Sequence, residues 1–168
     1  MSIASKTRQF ILAARIPLTL ADTTLPDVPL VLANAAFEAL TGYDAAEVEG
    51  RNCRFLQGGI EQPEARDEIR AALAAGRELQ VVLRNRRRDG SEFDNLLFMY
   101  PVGKGLFLGS QFELPRVARI VSSVARHQEI VGMANSLAEE IAGQRLKLNR
   151  NSSDALAQTV RTWMRHGR

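Results

Sequence analysis

The stretch Gly50-Arg51-Asn52-Cys53-Arg54-Phe55-Leu56-Gln57-Gly58 sets two arginines and two amides around the only thiol of a 168-residue chain. One cysteine makes neither an internal disulfide nor, by itself, a Cys-based zinc site. A lone cysteine is most often a small buried hydrophobe. Its neighbours here are poor core material, because every buried polar head needs a partner. A bound ligand with many hydrogen-bonding edges and an anionic end would satisfy them together. Farther along stand Asn85, Asn95 and Gln111, whose planar amides each carry a donor and an acceptor. Arg70, like Arg54, offers the fixed charge and forked donors that suit a phosphate.

Positioning such groups needs a framework, and the composition allows one. The chain is 45% apolar and 24% charged, which suits one globular domain. Residues 2–15 read as a short amphipathic helix ending before Pro17. Leu18 to Ala21 and Leu30 to Ala33 read as a hairpin, with Asp22 and Leu25-Pro26-Asp27 between them. Helical spacing follows from Asn34 to Leu40, and short helical pieces surround Gly50 to Gly59. Pro63 opens a helix that Gly76 closes. Three strands are expected at Leu79 to Asn85, Phe93 to Val102 and Leu106 to Leu114, joined by glycine-containing turns. Short connections imply an antiparallel sheet and an α+β fold.

Charge divides the chain. Residues 1–114 sum to −2 and residues 115–168 to +5. In the second part Val117, Val124, Val131 and Ala138 recur every seven residues, as do Ile120, His127, Ala134 and Ile141. This is an a/d seam that implies helix–helix contact. Gly143 is expected to break it, with a second helix capped by Ser152 or Ser153 and presenting Leu156, Val160, Trp163 and Met164. Arg84, Arg86, Arg87 and Arg88 read as a solvated hairpin tip without the aromatics of a nucleic-acid stacking platform. No apolar run reaches the ~18 residues of a membrane span, and sparse cysteine suits a cytoplasmic location.

The segment Gly50 to Gly58 resembles the signature of LOV domains, the flavin-binding blue-light sensors of the PAS superfamily. Asn85 and Asn95 fall where that family places two flavin-binding asparagines. Phe107 to Phe112 resembles its last strand with the glutamine, and Arg70 its phosphate-holding helix arginine. The resemblance implies a PAS/LOV fold: a five-stranded antiparallel sheet with short helices on one face. It divides the chain into an N-terminal helical cap (1–15), a flavin-binding core (16–114) and a helical extension (115–168). Thr19, Asn34, Asn52, Arg54, Leu56, Gln57, Arg70, Leu83, Asn85, Asn95, Leu97, Leu108 and Gln111 are the implied cofactor contacts. Two arginines suit FMN, while FAD and riboflavin remain open. Leu97 stands where the family often has phenylalanine, and Thr19 where it often has valine.

The mechanism this resemblance implies is photochemical. The Cys53 sulfur forms a thioether with flavin C4a as N5 gains a proton, and Gln111 answers by rotating its amide. Output would pass to the C-terminal helices as a change in homodimerisation or partner binding. With 54 residues after Leu114 and no ATP-binding domain there, the chain reads as a sensor without enzymatic activity. A flavin-based redox sensor, and nucleic-acid binding through the basic C-terminal region, are the alternatives. No helix-turn-helix supports the latter.

Overall fold

A computed structural model describes residue 3 and residues 5–114 and 128–166. The elements are α1 (Ser5–Ala13), β1 (Leu18–Asp22), β2 (Leu30–Ala33), α2 (Ala35–Thr41), α3 (Ala45–Val48), a 3-10 helix (Cys53–Gln57), α4 (Pro63–Ala75), β3 (Leu79–Arg86), β4 (Glu92–Gly103), β5 (Leu106–Leu114) and α5 (Gln128–His166). The strands form one antiparallel sheet in the order β2-β1-β5-β4-β3. The expected α+β, PAS-type architecture is present. Most of the strand bounds follow from apolar alternation closed by turn residues. Lys104 and its flanking glycines, all at positive φ, close the β4–β5 hairpin.

Period-two alternation gives the sheet two functions. Leu18, Leu20, Leu96, Phe98, Leu108 and Val102 point to the outer face and form the main core with Ile11 of α1 and Ala157, Val160 and Met164 of α5. Phe10 and Trp163 meet edge to face, with centroids 5.0 Å apart, so α1 and the end of α5 brace each other over this face. The inner face, with Thr19, Leu83, Asn85, Asn95, Leu97 and Gln111, looks toward the short helices.

The expected break at Gly143 does not occur: α5 runs unbroken from Gln128 to His166. A mid-helix glycine costs only about 1 kcal/mol relative to alanine. Docking of the Ala157–Met164 segment on the sheet outweighs that. Ser153 is therefore inside the helix, and its hydroxyl meets Ser110 Oγ at 2.8 Å instead of capping an end. Val131, Ala134, Ala138 and Ile141 of the expected seam lie on α5, whereas Val117, Ile120, Val124 and His127 lie outside the described residues.

The arginine cluster is partly solvated as expected, with side chains 22–53% exposed, and each guanidinium is also ion-paired. Arg84 pairs with Asp94 at 2.6 Å, Arg86 with Glu92 at 2.9 Å, Arg87 with Glu113 at 2.6 Å and Arg88 with Glu47 at 2.9 Å. Arg87 also donates to the Leu40 carbonyl and lies over the Phe93 ring. Arg87 and Arg88 tie the β3–β4 hairpin to α2 and α3, while Arg84 and Arg86 pair across the hairpin itself.

Candidate cofactor-binding site

The cavity between the inner sheet face and the helices has a volume of about 510 Å³, within the usual range of ~300–1,000 Å³ for small-molecule sites. Cys53 reaches it from the first position of the 3-10 helix. Asn52 caps that helix, accepting from the Arg54 N–H at 3.0 Å and donating to the Asp27 carbonyl at 2.5 Å. The Cys53 thiol is pushed up to about 12 by desolvation, so it is neutral throughout the physiological range. A folded-state value above the unfolded one makes this group's contribution to stability complete below pH ~9 and lost as pH rises toward about 12. We therefore expect stability to fall across that alkaline window and Cys53→Ser to lessen the fall. Burial also raises Tyr100, so the comparison between parent and variant in an alkaline melting series isolates the thiol.

Opposite the thiol, adjacent strands present three amides. Asn85 and Asn95 are each 2% exposed and Gln111 is 1% exposed. Among the described residues, their side-chain oxygens Asn85 Oδ1, Asn95 Oδ1 and Gln111 Oε1 have no hydrogen-bond partner. Nearly all buried polar groups in proteins are paired. Three orphaned acceptors on one cavity wall call for a ligand with a polar edge, while Leu83, Leu97, Met99 and Phe107 supply the apolar walls of a ring-shaped slot.

Cations gather at the rim. Arg54 grips Asp27 through two bonds of 2.6 and 2.7 Å, which holds the Asp27 carboxyl below its usual range. Arg70 pairs with Asp67 at 2.7 Å on the exposed side of α4. Arg66, one helical turn earlier, donates to Gln57 Oε1 at 2.5 Å and also lines the cavity. Sequence reasoning missed Arg66, although its spacing of four from Arg70 would have placed both on one helix face.

Ten of the thirteen expected contacts line this cavity: Thr19, Asn52, Cys53's neighbour Arg54, Gln57, Arg70, Leu83, Asn85, Asn95, Leu97 and Gln111; Cys53 joins them. Three do not. Asn34 caps α2, accepting from the N–H groups of Phe37 and Leu18 and donating to the carbonyls of Ile11, Ala14 and Ile16. Its amide is fully used in joining α1, β1 and α2. Leu56 packs with Leu30, Ala33, Phe37 and Val48. Leu108 points to the outer face, since Phe107, Gly109 and Gln111 take the inner one.

An antiparallel sheet curled by short helices around a ligand-sized cavity defines a PAS-type sensory domain. A PAS domain family model matches residues 19–113. The chain is 46% identical over 122 residues to a blue-light-activated histidine kinase of Rhizobium johnstonii, covering 70% of this chain and 35% of that protein. A Brucella canis protein of the same name is 44% identical over 87 residues, covering 52% of this chain and 18% of that one. The chain thus spans about a third or less of these relatives. Among solved structures, the Rhodobacter sphaeroides LOV protein aligns over 96% of both chains with a TM-score of 0.66 and 44% identity. An RNA-binding light-oxygen-voltage receptor aligns over 62% of this chain and 31% of that one, with a TM-score of 0.59 and 46% identity. This chain belongs to the LOV family of PAS domains.

Proposed function

We propose that the chain is a blue-light photoreceptor whose cavity holds FMN and whose Cys53 forms a reversible thioether bond with it. One observation carries the reading: a neutral thiol and three buried, unpartnered amide oxygens face one cavity. FMN supplies the blue absorption and an excited state that a thiol can attack. Cys53 would supply the sulfur that bonds to flavin C4a, and its thiol proton would pass to ring nitrogen N5. Asn85 and Asn95 hold the polar ring edge, Leu83 and Leu97 its faces, and Arg54, Arg66 and Arg70 the terminal phosphate. Gln111 reads the N5 position, because its amide can face the cavity with either a donor or an acceptor.

The signal leaves through the sheet. Ser110 follows the opposite pleat from Gln111 and bonds Ser153 of α5 at 2.8 Å; both serines are fully buried. Tyr100 donates to Asp154 at 2.6 Å, and Arg161 bonds the Pro101 carbonyl at 2.9 Å. A backbone shift at Gln111 therefore reaches the docked end of α5 in one residue, and this bistable docking is the output element. Residues 1–15 act as a cap, 16–114 as the light-sensing core and 115–168 as the extension that changes dimerisation or partner binding. The described core serves as the light-sensing part; the chain spans 35% and 18% of the histidine kinases it resembles.

The test is spectroscopic. Purified chain should be yellow, lose its blue absorption band on illumination in air, and regain it in darkness. Hydrogen exchange should rise in the light over residues 153–164. A permanent band, or exchange that ignores light, would refute the sensing and the transmission parts respectively.

A further inference from the structure

Thr19 and Gln111 meet on the inner sheet face, 4% and 1% exposed. Gln111 Nε2 donates to Thr19 Oγ1 at 3.2 Å, and Gln111 Oε1 is left without a partner. The β1–β5 register sets Thr19 opposite Gly109. A Cβ at Gly109 would stand 2.7 Å from the Thr19 hydroxyl oxygen, closer than real Cβ atoms approach a neighbour. Glycine there leaves the hydroxyl room beside the amide. A hydroxyl rotates freely and serves as either donor or acceptor, whereas a primary amide has one end of each kind.

We propose that Thr19 is a positioning residue whose hydroxyl satisfies the far end of the Gln111 amide in both of its orientations. This rests on the photoreceptor reading above. With Oε1 toward the cavity, Nε2 donates to Thr19 Oγ1, as the structure has it. With Nε2 toward the cavity, Oε1 accepts the Thr19 hydroxyl proton. Neither orientation then leaves the far end buried and unpaired, a condition that is costly in a protein interior. Valine has the same shape and can do neither. Thr19 thus keeps the two settings of the Gln111 switch close in energy.

Infrared light-minus-dark spectroscopy on the flavin-loaded full chain tests this. The Gln111 side-chain carbonyl is identified as the band that Gln111→Leu removes. With unprotonated N5 an acceptor in the dark, Nε2 faces the ring and Oε1 accepts from the Thr19 hydroxyl, so Thr19→Val should move that band to higher frequency in the dark. Thr19→Ser should leave it where the parent has it. Gly109→Ala crowds the hydroxyl and should move the band as Thr19→Val does. The unfolding midpoint should drop by about 2–4 °C in Thr19→Val, the shift expected for the loss of one such bond in a chain of this size. An unshifted band in Thr19→Val, or a serine variant that behaves like the valine one, overturns the proposal. A parent chain that neither binds flavin nor bleaches would overturn the photoreceptor reading itself, and this inference with it.

Discussion

Cys53→Ser should bind flavin as the parent does and show no reversible bleaching at all. Serine keeps the size and the hydrogen-bonding reach of the side chain, and the cavity walls are unchanged, so cofactor content should hold. What disappears is the sulfur nucleophile. The environment of Cys53 also separates photochemistry from ordinary thiol chemistry. With its ionisation pushed up to about 12 by desolvation, the thiol is overwhelmingly protonated at pH 7. Oxidation, disulfide exchange and alkylation all proceed through the thiolate. The parent protein should therefore resist peroxide and iodoacetamide in darkness while reacting fully with its flavin under light. Mass spectrometry after peroxide treatment decides between sensors: rapid sulfenic acid at Cys53 would favour the redox reading, and a persistent adduct in Cys53→Ser would end the thioether mechanism.

The sheet was legible in the sequence because its strands alternate and its turns use glycine. β2 and β5 have the expected bounds, β1 and β3 extend them by one residue at the C-terminal end, and β4 by one residue at each end. The same alternation, applied one step further, would have excluded Leu108: it lies an odd number of residues from Gln111, so the two face opposite sides. Asn34 was indistinguishable from a ligand contact in the sequence, since a capping asparagine and a binding asparagine are the same residue. Only the five bonds converging on it separate the two roles. The ion pairs of the arginine cluster were hidden for a related reason. Asp94 and Glu92 face Arg84 and Arg86 across the hairpin, a pairing that only the correct strand register reveals, while Glu47 and Glu113 come from distant elements that no local window displays. Helix α5 was misread because the stabilising contact, with the sheet, is 43 residues away at Ser110–Ser153. Local propensity at Gly143 said break, and tertiary packing prevailed.

The orphaned oxygens of Asn85 and Asn95 yield the other large effect, one in which affinity and stability move apart. Replacing both with leucine removes two hydrogen-bonding groups from the cofactor edge. At about 1–3 kcal/mol for each buried polar partner lost, flavin affinity should fall by about 30-fold to about 2 × 10⁴-fold. The fold has little to lose. Neither Oδ1 atom has a partner among the described residues, and the cavity wall around them carries the apolar Leu83 and Leu97. Burying polar atoms that the chain cannot satisfy is costly, so their removal relieves the cofactor-free protein. Cofactor-free Asn85→Leu/Asn95→Leu should melt at or above the temperature of the cofactor-free parent. Leucine is also larger than asparagine, and Asn85→Asp controls for volume. It keeps the size and replaces the amide donor with an ionisable carboxyl, and it should still weaken binding by at least about tenfold. Equilibrium dialysis gives the affinity and calorimetry the stability. If the double variant melts well below the parent without cofactor, the amides serve the fold. If it binds flavin undiminished, they do not read the ring. A loss of binding with stability retained is the outcome that a ligand-facing role requires, because only a partner from outside the chain makes those two oxygens worth burying.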